Sequence, residues 1–195
     1  MNTVDKELRA RNLRLLGLLA GLFLLPLALA FWMYYATDWR PIGTVNHGEL
    51  IQPPRPVPPL QLQPAVAGDT VPADLFRHKW TLVYIGDGQC DDACRNALLV
   101  IRQTRLSLNN EMTRVERVFL ATGNCCAQDF LQREHPGLKV FAAPADLGPF
   151  PPDERAHSVF VVDPMGNLMM RHDARQNPKG LLEDLKRLLK YSQIG

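Results

Sequence analysis

The longest uninterrupted apolar run lies close to the start of the chain. Residues 15–35 contain no charged side chain, and at 1.5 Å per residue such a run crosses a hydrocarbon core of about 30 Å. Aromatic residues from Phe31 to Trp39 cluster at its C-terminal end, where rings favour the headgroup zone. The pattern predicts a transmembrane helix over residues 15–36. The alternative is a cleaved signal peptide with Ala28–Ala30 as its cleavage site, but the apolar run continues beyond that site.

Basic residues flank this run mainly on its N-terminal side. Only Arg40 lies near the other end, whereas four basic residues precede the run: Lys6, Arg9, Arg11 and Arg14. The positive-inside rule therefore predicts that residues 1–14 are cytoplasmic and that the rest of the chain is extracytoplasmic. This is the topology of a single-pass protein of a bacterial-type inner membrane with a periplasmic domain.

A proline-rich segment follows over residues 37–72. Eight of the sixteen prolines lie between Pro41 and Pro72. We expect the run Pro53–Pro59 to join neither a sheet nor a helix and to act as an extended, semi-rigid spacer. An ordered loop wrapped on the domain is the alternative for the part after Leu60.

Residues 73–195 alternate between strand and helix patterns, which predicts one α/β domain. A last amphipathic helix opens at Pro178. The other predicted elements are strands 80–85, 115–121 and 138–142, helices 91–110 and 127–134, and a hairpin of strands 159–162 and 168–170. This order is the thioredoxin arrangement, with a central mixed sheet and flanking helices.

The composition excludes some functions and leaves others open. Because 22 basic residues balance 20 acidic ones without a basic stripe, we expect no nucleic-acid partner. All four cysteines lie beyond the predicted membrane helix, where disulfides can form. These cysteines are Cys90, Cys94, Cys125 and Cys126. Four cysteines can pair in three different ways.

Cys90 and Cys94 are the strongest candidates for chemistry. They follow a predicted buried strand and open a helix, whose N-terminus favours a thiolate. Their spacing places both sulfurs within one turn, where soft thiolates could bind Cu(I) or Zn(II). Asp91 and Asp92 disfavour thiolates, a penalty that a bound cation would reverse. A disulfide that only staples the helix start is the structural alternative.

The stretch from Tyr84 to Cys94 resembles the Sco/SenC signature. The matching positions are Gly86, Cys90, Asp92 and Cys94. The family's third copper ligand is a histidine before a strand that ends in Asp-Pro-x-Gly, and here His157 precedes such a strand and Asp163–Gly166. The resemblance covers about residues 75–189 and implies a divergent relative.

This resemblance implies a copper-binding assembly factor that acts in cytochrome c oxidase biogenesis. Copper, its suspected cargo, would be bound by Cys90, Cys94 and His157, and the partner would be an oxidase subunit or another copper-site assembly protein. Three departures accompany the match: Asp91 replaces a proline, Thr122–Cys126 replaces an Asp-Pro-x-x-Asp stretch, and His157 stands closer to Asp163 than the family histidine does.

An oxidoreductase is the second hypothesis, with Cys90 and Cys94 as catalytic residues that reduce a partner's cysteines. A scaffold that has lost metal binding is the third, and enzyme status is left open. We expect Cys125 and Cys126 at the same sheet edge as the first pair. We predict one disulfide, Cys90–Cys94, with the other two cysteines largely unpaired and at least one of them buried. The alternative is a resolving role, in which Cys125 or Cys126 attacks the disulfide of the first pair. Four histidines receive no role: His47, His78, His135 and His172.

Overall fold

The computed structural model describes residues 3–36, 45–66, 69–152, 155 and 157–194. The chain divides into two compact units, Met1–Val45 and Asn46–Gly195. Residues 37–44, which include Trp39 and Arg40, and residues 67–68 of the predicted spacer lie outside the described residues.

The first unit contains one long helix, α1, over Thr3–Ala36, with Pro26 inside it. Its stretch Arg11–Ala36 has a mean hydropathy of 2.3 and is long and apolar enough to cross a membrane. The helix therefore begins well before residue 15, where the apolar run starts. Its length and composition make it a candidate membrane anchor.

The second unit contains seven strands, three α-helices and a 3₁₀ turn at Asn109–Arg114 among its described residues. The strands are β1 Glu49–Pro56, β2 Gln63–Pro64, β3 Trp80–Gly86, β4 Val115–Thr122, β5 Lys139–Ala143, β6 Ser158–Val162 and β7 Asn167–Asp173. The helices are α2 Asp92–Leu106, α3 Gln128–Glu134 and α4 Pro178–Tyr191. The predicted helix over 91–110 is shorter, because the 3₁₀ turn takes up its last residues.

All seven strands form one sheet in the order β1-β7-β6-β3-β4-β5-β2. The central strands β3, β4 and β5 are parallel, whereas β6 runs antiparallel to β3 and the outer pairs are antiparallel as well. The sheet is therefore mixed, as predicted. Parallel β3 and β4 end at the same edge, with Gly86 opposite Ala121.

The two faces of the sheet are covered differently. On β3, Leu82 and Tyr84 belong to one core cluster, and Val83 and Ile85 belong to the other, which is the alternation of a strand buried on both faces. Helices α2, α3 and α4 all contribute to the first cluster. The second cluster is completed by residues outside helices and strands, namely Leu60, Leu62, Leu75, Phe76, Leu147 and Phe150. Among the described residues, the helices thus pack on one face only.

The proline-rich segment is part of the sheet, and the prediction that it cannot join one is wrong. Strand β1 pairs antiparallel with β7, with Leu50 opposite Met170 and Arg55 opposite Leu168, and the register shifts between these two pairs. An edge strand needs hydrogen bonds on one side only, so prolines are tolerated there. The segment continues to the domain surface, where Val57 N donates to Gly166 O at 2.8 Å.

A buried carboxylate fastens the start of the second unit to α4. Asp184 is 3% exposed, and its Oδ2 accepts from the backbone N–H groups of His47 at 2.8 Å and Gly48 at 2.9 Å. His172 Nε2 lies 3.0 Å from the same oxygen, and His47 Nδ1 lies 3.3 Å from Oδ1. We call His47, Gly48, His172 and Asp184 the Asp184 cluster. No spacing in the sequence links these residues, which is why the two histidines received no predicted role.

Candidate functional site

Cys90 and Cys94 form a disulfide at the start of α2, directly after β3. Their Cα atoms are 5.0 Å apart, which is within the range that a disulfide requires. Each residue is 1% exposed, and both belong to the helix-covered core cluster. The predicted pairing of these two cysteines is therefore confirmed, and the disulfide is buried.

Asp91 holds the start of α2 in place between the two cysteines. It is the N-cap residue, and its Oδ1 accepts from the backbone N–H of Cys94 at 2.9 Å. Cys90 precedes the cap with a positive φ of 54°, and its N–H donates to the carbonyl of Asp87 at 3.1 Å. An aspartate directly before a helical pattern is the sequence signal for such a cap, and the capping role of Asp91 was not among the predictions.

Tyr84 lies beneath this turn in the core. Burial, as the main cause, and the negative charge of Asp91, as the second, together raise the pKa of Tyr84 to about 12. The phenol therefore stays neutral at physiological pH. Its ring packs on Phe119 with the centroids 5.6 Å apart. The disulfide thus lies between an apolar core and the exposed carboxylates of Asp91 and Asp92.

Cys125 and Cys126 follow β4 and lie against the first cysteine loop. Ala127 N donates to Gly88 O at 2.8 Å. A Cβ atom at Gly88 would overlap the Asn124 carbonyl oxygen and lie 2.7 Å from the Cys125 Cα. Because only a residue without a side chain fits there, Gly88 allows the two loops to touch. The prediction that both cysteine pairs share one sheet edge is confirmed.

The predicted state of this second pair is wrong. Cys125 and Cys126 form a disulfide with each other, and none of the four cysteines is free. Cys125 is exposed and Cys126 is half-buried, so neither is buried as expected. The prediction assumed that adjacent side chains point apart, whereas this loop brings both sulfurs together.

The first turn of α3 is fixed beside the first turn of α2. The guanidinium of Arg95 lies 4.6 Å from the centre of the Phe130 ring, and Arg95 Nε donates to the carbonyl of Cys90 at 3.3 Å. Phe130 and Cys126 pack against the core cluster that contains Cys90 and Cys94. Arg95 thus connects the buried disulfide with the segment that carries the exposed one.

His157 lies just before β6, at the same edge of the sheet. Tyr84 near the end of β3 pairs with Val159 near the start of antiparallel β6, so the two strand ends meet. His157 is half-buried, with a φ of 64°. Its charge contributes weakly to lowering the pKa of Asp173 to about 2, for which a hydrogen bond from Arg175 is the main cause.

The structure does not gather the predicted ligands into a metal site in this oxidised state. Within the described part of the chain, no three His, Cys, Asp or Glu side chains form a group that could hold a metal ion. The role of His157 as a ligand therefore stays a prediction. The donor chemistry suits a soft ion nonetheless, because reduction of the disulfide would release two sulfurs within one helical turn.

Comparison with known proteins gives a family and a set of similar structures. Residues 80–192 match the family model described as "Transmembrane-like, thioredoxin-like, C-terminal domain". Sco1 of Thermus thermophilus is 17% identical, with a TM-score of 0.55, and the match covers 76% of this chain and 99% of that one. Yeast Sco1 with copper bound is 14% identical, with a TM-score of 0.56 and coverages of 71% and 95%.

These similarities concern the fold. Another structure of yeast Sco1 is 14% identical, with a TM-score of 0.58, and the match covers 73% of this chain and 98% of that one. No curated protein matches the chain. The predicted thioredoxin-like fold and the likeness of this fold to Sco structures are confirmed. Since the family model spans more than half of the sequence, the chain belongs to the family of transmembrane-like proteins with a thioredoxin-like C-terminal domain.

Proposed function

We propose that this protein is a membrane-anchored, copper-binding assembly factor of the Sco/SenC type that acts in cytochrome c oxidase biogenesis. The observation that carries the proposal is the Cys90–Cys94 pair at the N-terminus of α2, on the edge where β6 brings His157. Yeast Sco1, which shares the fold, has been solved with copper bound. Another protein of this fold is described as a member of the Sco family of cytochrome c oxidase assembly proteins.

In this proposal copper is the cargo. Reduced Cys90 and Cys94 bind Cu(I) as thiolates, and His157 completes the set of ligands. Asp91 keeps the first turn of α2 in shape through its bond to Cys94 N. Copper then passes to thiols of the partner, an oxidase subunit or another copper-site assembly protein, by exchange of one sulfur ligand for another.

The test is Cu(I) binding by the full-length, chemically reduced protein in detergent. We expect one Cu(I) per chain, and we expect Cys90→Ser or Cys94→Ser to abolish binding because one thiolate leaves too few soft ligands. His157→Ala should weaken binding by about tenfold to a hundredfold, the scale for losing a supporting group. Met165→Ala, which changes an exposed methionine, is the control and should bind like wild type.

The proposed place of action is the outer side of a bacterial-type inner membrane. Helix α1 supports an anchor by its length and composition, and the basic residues before it support a cytoplasmic N-terminus. A reporter that works only outside the cytoplasm should be active when fused after residue 195. Activity only of a cytoplasmic reporter would contradict this orientation.

A thiol-disulfide oxidoreductase is the second candidate. The observation in its favour is that the cysteines are paired and that the described residues hold no assembled three-ligand group. In that case the pair would cycle between dithiol and disulfide and reduce a partner's cysteines. If the reduced wild-type protein binds no copper while its disulfide has a defined reduction potential, this function replaces the copper function.

A further inference from the structure

The two disulfides differ in their access to solvent although their loops touch. Cys90 and Cys94 are each 1% exposed, so a partner's thiolate cannot reach their sulfurs in this conformation. Cys125 is exposed and Cys126 is half-buried against the same core cluster. Disulfide exchange requires direct access of one sulfur to another. The exposed pair is therefore the one that a protein partner can attack.

The contacts between the loops connect the pairs physically. The bond from Ala127 N to Gly88 O ties the segment after Cys126 to the turn before Cys90. The close approach of Gly88 to the Cys125 backbone leaves no room for a side chain between them. Arg95 adds a second connection, since it contacts both Phe130 and the carbonyl of Cys90.

We propose that Cys125 and Cys126 form a second, solvent-facing redox couple that passes electrons from a partner protein's dithiol to the buried Cys90–Cys94 disulfide. The inference rests on the proposed function, because it uses Cys90 and Cys94 as the working dithiol. It supplies what copper binding needs, which is a route for reducing a buried disulfide in an oxidising compartment.

The first exchange consumes the partner's dithiol. One partner thiolate attacks Cys125 Sγ, the Cys125–Cys126 bond breaks, and Cys126 leaves as a thiolate that takes up a proton. The partner's second thiolate attacks the mixed disulfide and releases Cys125. The partner departs as a disulfide, and two electrons and two protons have moved to Cys125 and Cys126.

The second exchange delivers these electrons to the core. The Cys126 thiolate attacks Cys90 Sγ, and Cys94 leaves as a thiolate at the N-terminus of α2, where the helix dipole stabilises negative charge. Cys125 then attacks Cys126 in the mixed disulfide and releases Cys90. The Cys125–Cys126 bond is restored, and Cys90 and Cys94 are reduced.

The test compares a protein reductant with a small one on the full-length protein in detergent. Reduced thioredoxin serves as the partner dithiol, and a water-soluble phosphine serves as the small reductant. In the double variant Cys125→Ser/Cys126→Ser, reduction of Cys90–Cys94 by thioredoxin should slow by about tenfold or more, because the accessible couple is gone. Reduction by the phosphine should slow far less, because a small reductant depends less on the exposed couple than a protein does. Asn124→Ser, which changes an exposed side chain of the same loop, should behave like wild type with both.

Trapping identifies the attacked sulfur. A reduced thioredoxin that retains only its attacking cysteine should form a mixed disulfide with Cys125 of the wild-type protein. Its thiolate breaks the Cys125–Cys126 bond and releases Cys126 as a thiolate, and the thioredoxin has no second thiol to resolve the product. Rapid alkylation of the released thiol keeps the product for peptide mapping. Cross-linking to Cys90 or Cys94 instead would overturn the proposal. So would an unchanged thioredoxin rate in the double variant, provided that peptide mapping still finds its Cys90–Cys94 disulfide. If the double variant loses that disulfide, trapping alone decides, because it uses the wild-type protein.

The outcome can be separated from that of the copper proposal. The phosphine-reduced double variant should bind Cu(I) like wild type, since it retains Cys90, Cys94 and His157. If wild-type protein binds no Cu(I) yet shows the thioredoxin dependence, the copper function fails and the relay stands. If copper binds but the dependence is absent, the relay fails and the copper function stands.

Discussion

Two regions of the second unit are built in different ways. One is the sheet edge that carries Cys90, Cys94, Cys125 and Cys126, which we call the cysteine edge, and the other is the Asp184 cluster. At the cysteine edge, the decisive bond joins neighbours in sequence, since Asp91 accepts from Cys94 N three residues later. In the Asp184 cluster, the carboxylate accepts from His47 N across 137 positions of the chain. Both places depend on a glycine that lets two segments touch, Gly88 in one and Gly48 in the other.

This difference indicates that the cysteine edge carries the chemistry and that the Asp184 cluster stabilises the fold. The cysteine edge holds groups that can change state by reduction or ligand exchange, and one of its four cysteines, Cys125, is exposed. The Asp184 cluster holds a nearly dry carboxylate whose two oxygens take four polar contacts. Buried polar groups with every partner in place fix one conformation, and they are costly to break. We therefore expect substitutions in the cluster to unfold the domain, and substitutions at the cysteine edge to change its reactivity.

The largest expected effect is that of Asp184→Ala. The free energy of unfolding should fall by about 3 kcal/mol or more, because the backbone N–H groups of His47 and Gly48 and the ring of His172 lose their partner in a buried place. Chemical denaturation of the full-length protein, followed through tryptophan fluorescence, measures this. Glu183→Ala is the matched control. Its contact with His47 is largely exposed, so it should cost about 0.5 kcal/mol or less. Equal effects of both variants would contradict the role of the cluster.

The next largest effect is expected from Gly→Ala changes at Gly88 and Gly48, the close-contact glycines of the two regions. A Cβ at Gly88 would meet the backbone of Asn124 and Cys125, and one at Gly48 would lie 2.5 Å from His172 Cδ2 and 2.9 Å from the Arg171 carbonyl oxygen. Each Gly→Ala change should cost about 1–3 kcal/mol through overpacking.

Only the change at Gly88 should also slow the reduction of Cys90–Cys94 by thioredoxin, since only that change separates the two cysteine loops between which the electrons pass. Rates of disulfide reduction in the two variants test this. Gln89→Ala, at the exposed neighbour of Gly88, is the control. Equally slow reduction in Gly48→Ala would mean that the two regions are not independent.

A smaller effect is expected at the N-cap of α2. Asp91→Ala removes the acceptor for Cys94 N and should lower the free energy of unfolding by about 1 kcal/mol. Asp92→Ala removes an exposed carboxylate of the same first turn without a capping bond, and it should cost about half as much. A thermal melt of each full-length variant compares them. If Asp92→Ala is the more damaging, the capping interpretation is wrong.

The smallest expected effect is on the pH dependence of stability. Burial lowers the pKa of His172, and the Asp184 carboxylate partly offsets this. Below the unfolded pKa of about 6.5, the unfolded chain binds a proton that the folded domain excludes, so the free energy of unfolding falls as the pH falls through this window. Above the unfolded pKa, the contribution of His172 to the free energy of unfolding is fully present.

Denaturation at several pH values around the unfolded pKa measures this slope. His172→Gln, whose amide can still donate to Asp184, should flatten the slope. Burial and two nearby arginines lower the pKa of His135 too, so His135→Gln is the comparison variant. It should remove only the part of the slope that comes from His135. A slope unchanged by His172→Gln would show that His172 does not titrate in this range.

Several elements could be predicted because their patterns are local. The apolar run of strand β3, the turn after it and the helical spacing of Cys94, Ala97, Leu98 and Ile101 identify the place of the first cysteine pair without any long-range information. The edge shared by Cys90 and Cys125 followed from parallel pairing of β3 and β4, which the strand order implied. The pairing of Cys125 with Cys126 did not follow, because it depends on the path of one short loop.

The strand in the proline-rich segment could not be predicted from local sequence patterns. Its composition disfavours a sheet, but only the tertiary structure offers it the free edge of β7, where one-sided pairing and a register shift accommodate its prolines. The histidines of the Asp184 cluster carry no local pattern at all. They matter because folding brings β7, α4 and the segment after α1 around one carboxylate.

The sequence by itself therefore determined the α/β class, the apolar helix, the central strands and the first cysteine pair, since hydrophobic period and helix-start chemistry act over a few residues. The tertiary structure alone decided that the helices cover one face of the sheet, that residues 49–56 extend it, that Cys125 pairs with Cys126, and that Asp184 fastens His47 and Gly48. These features depend on which segments become neighbours in space, and no short-range pattern encodes that.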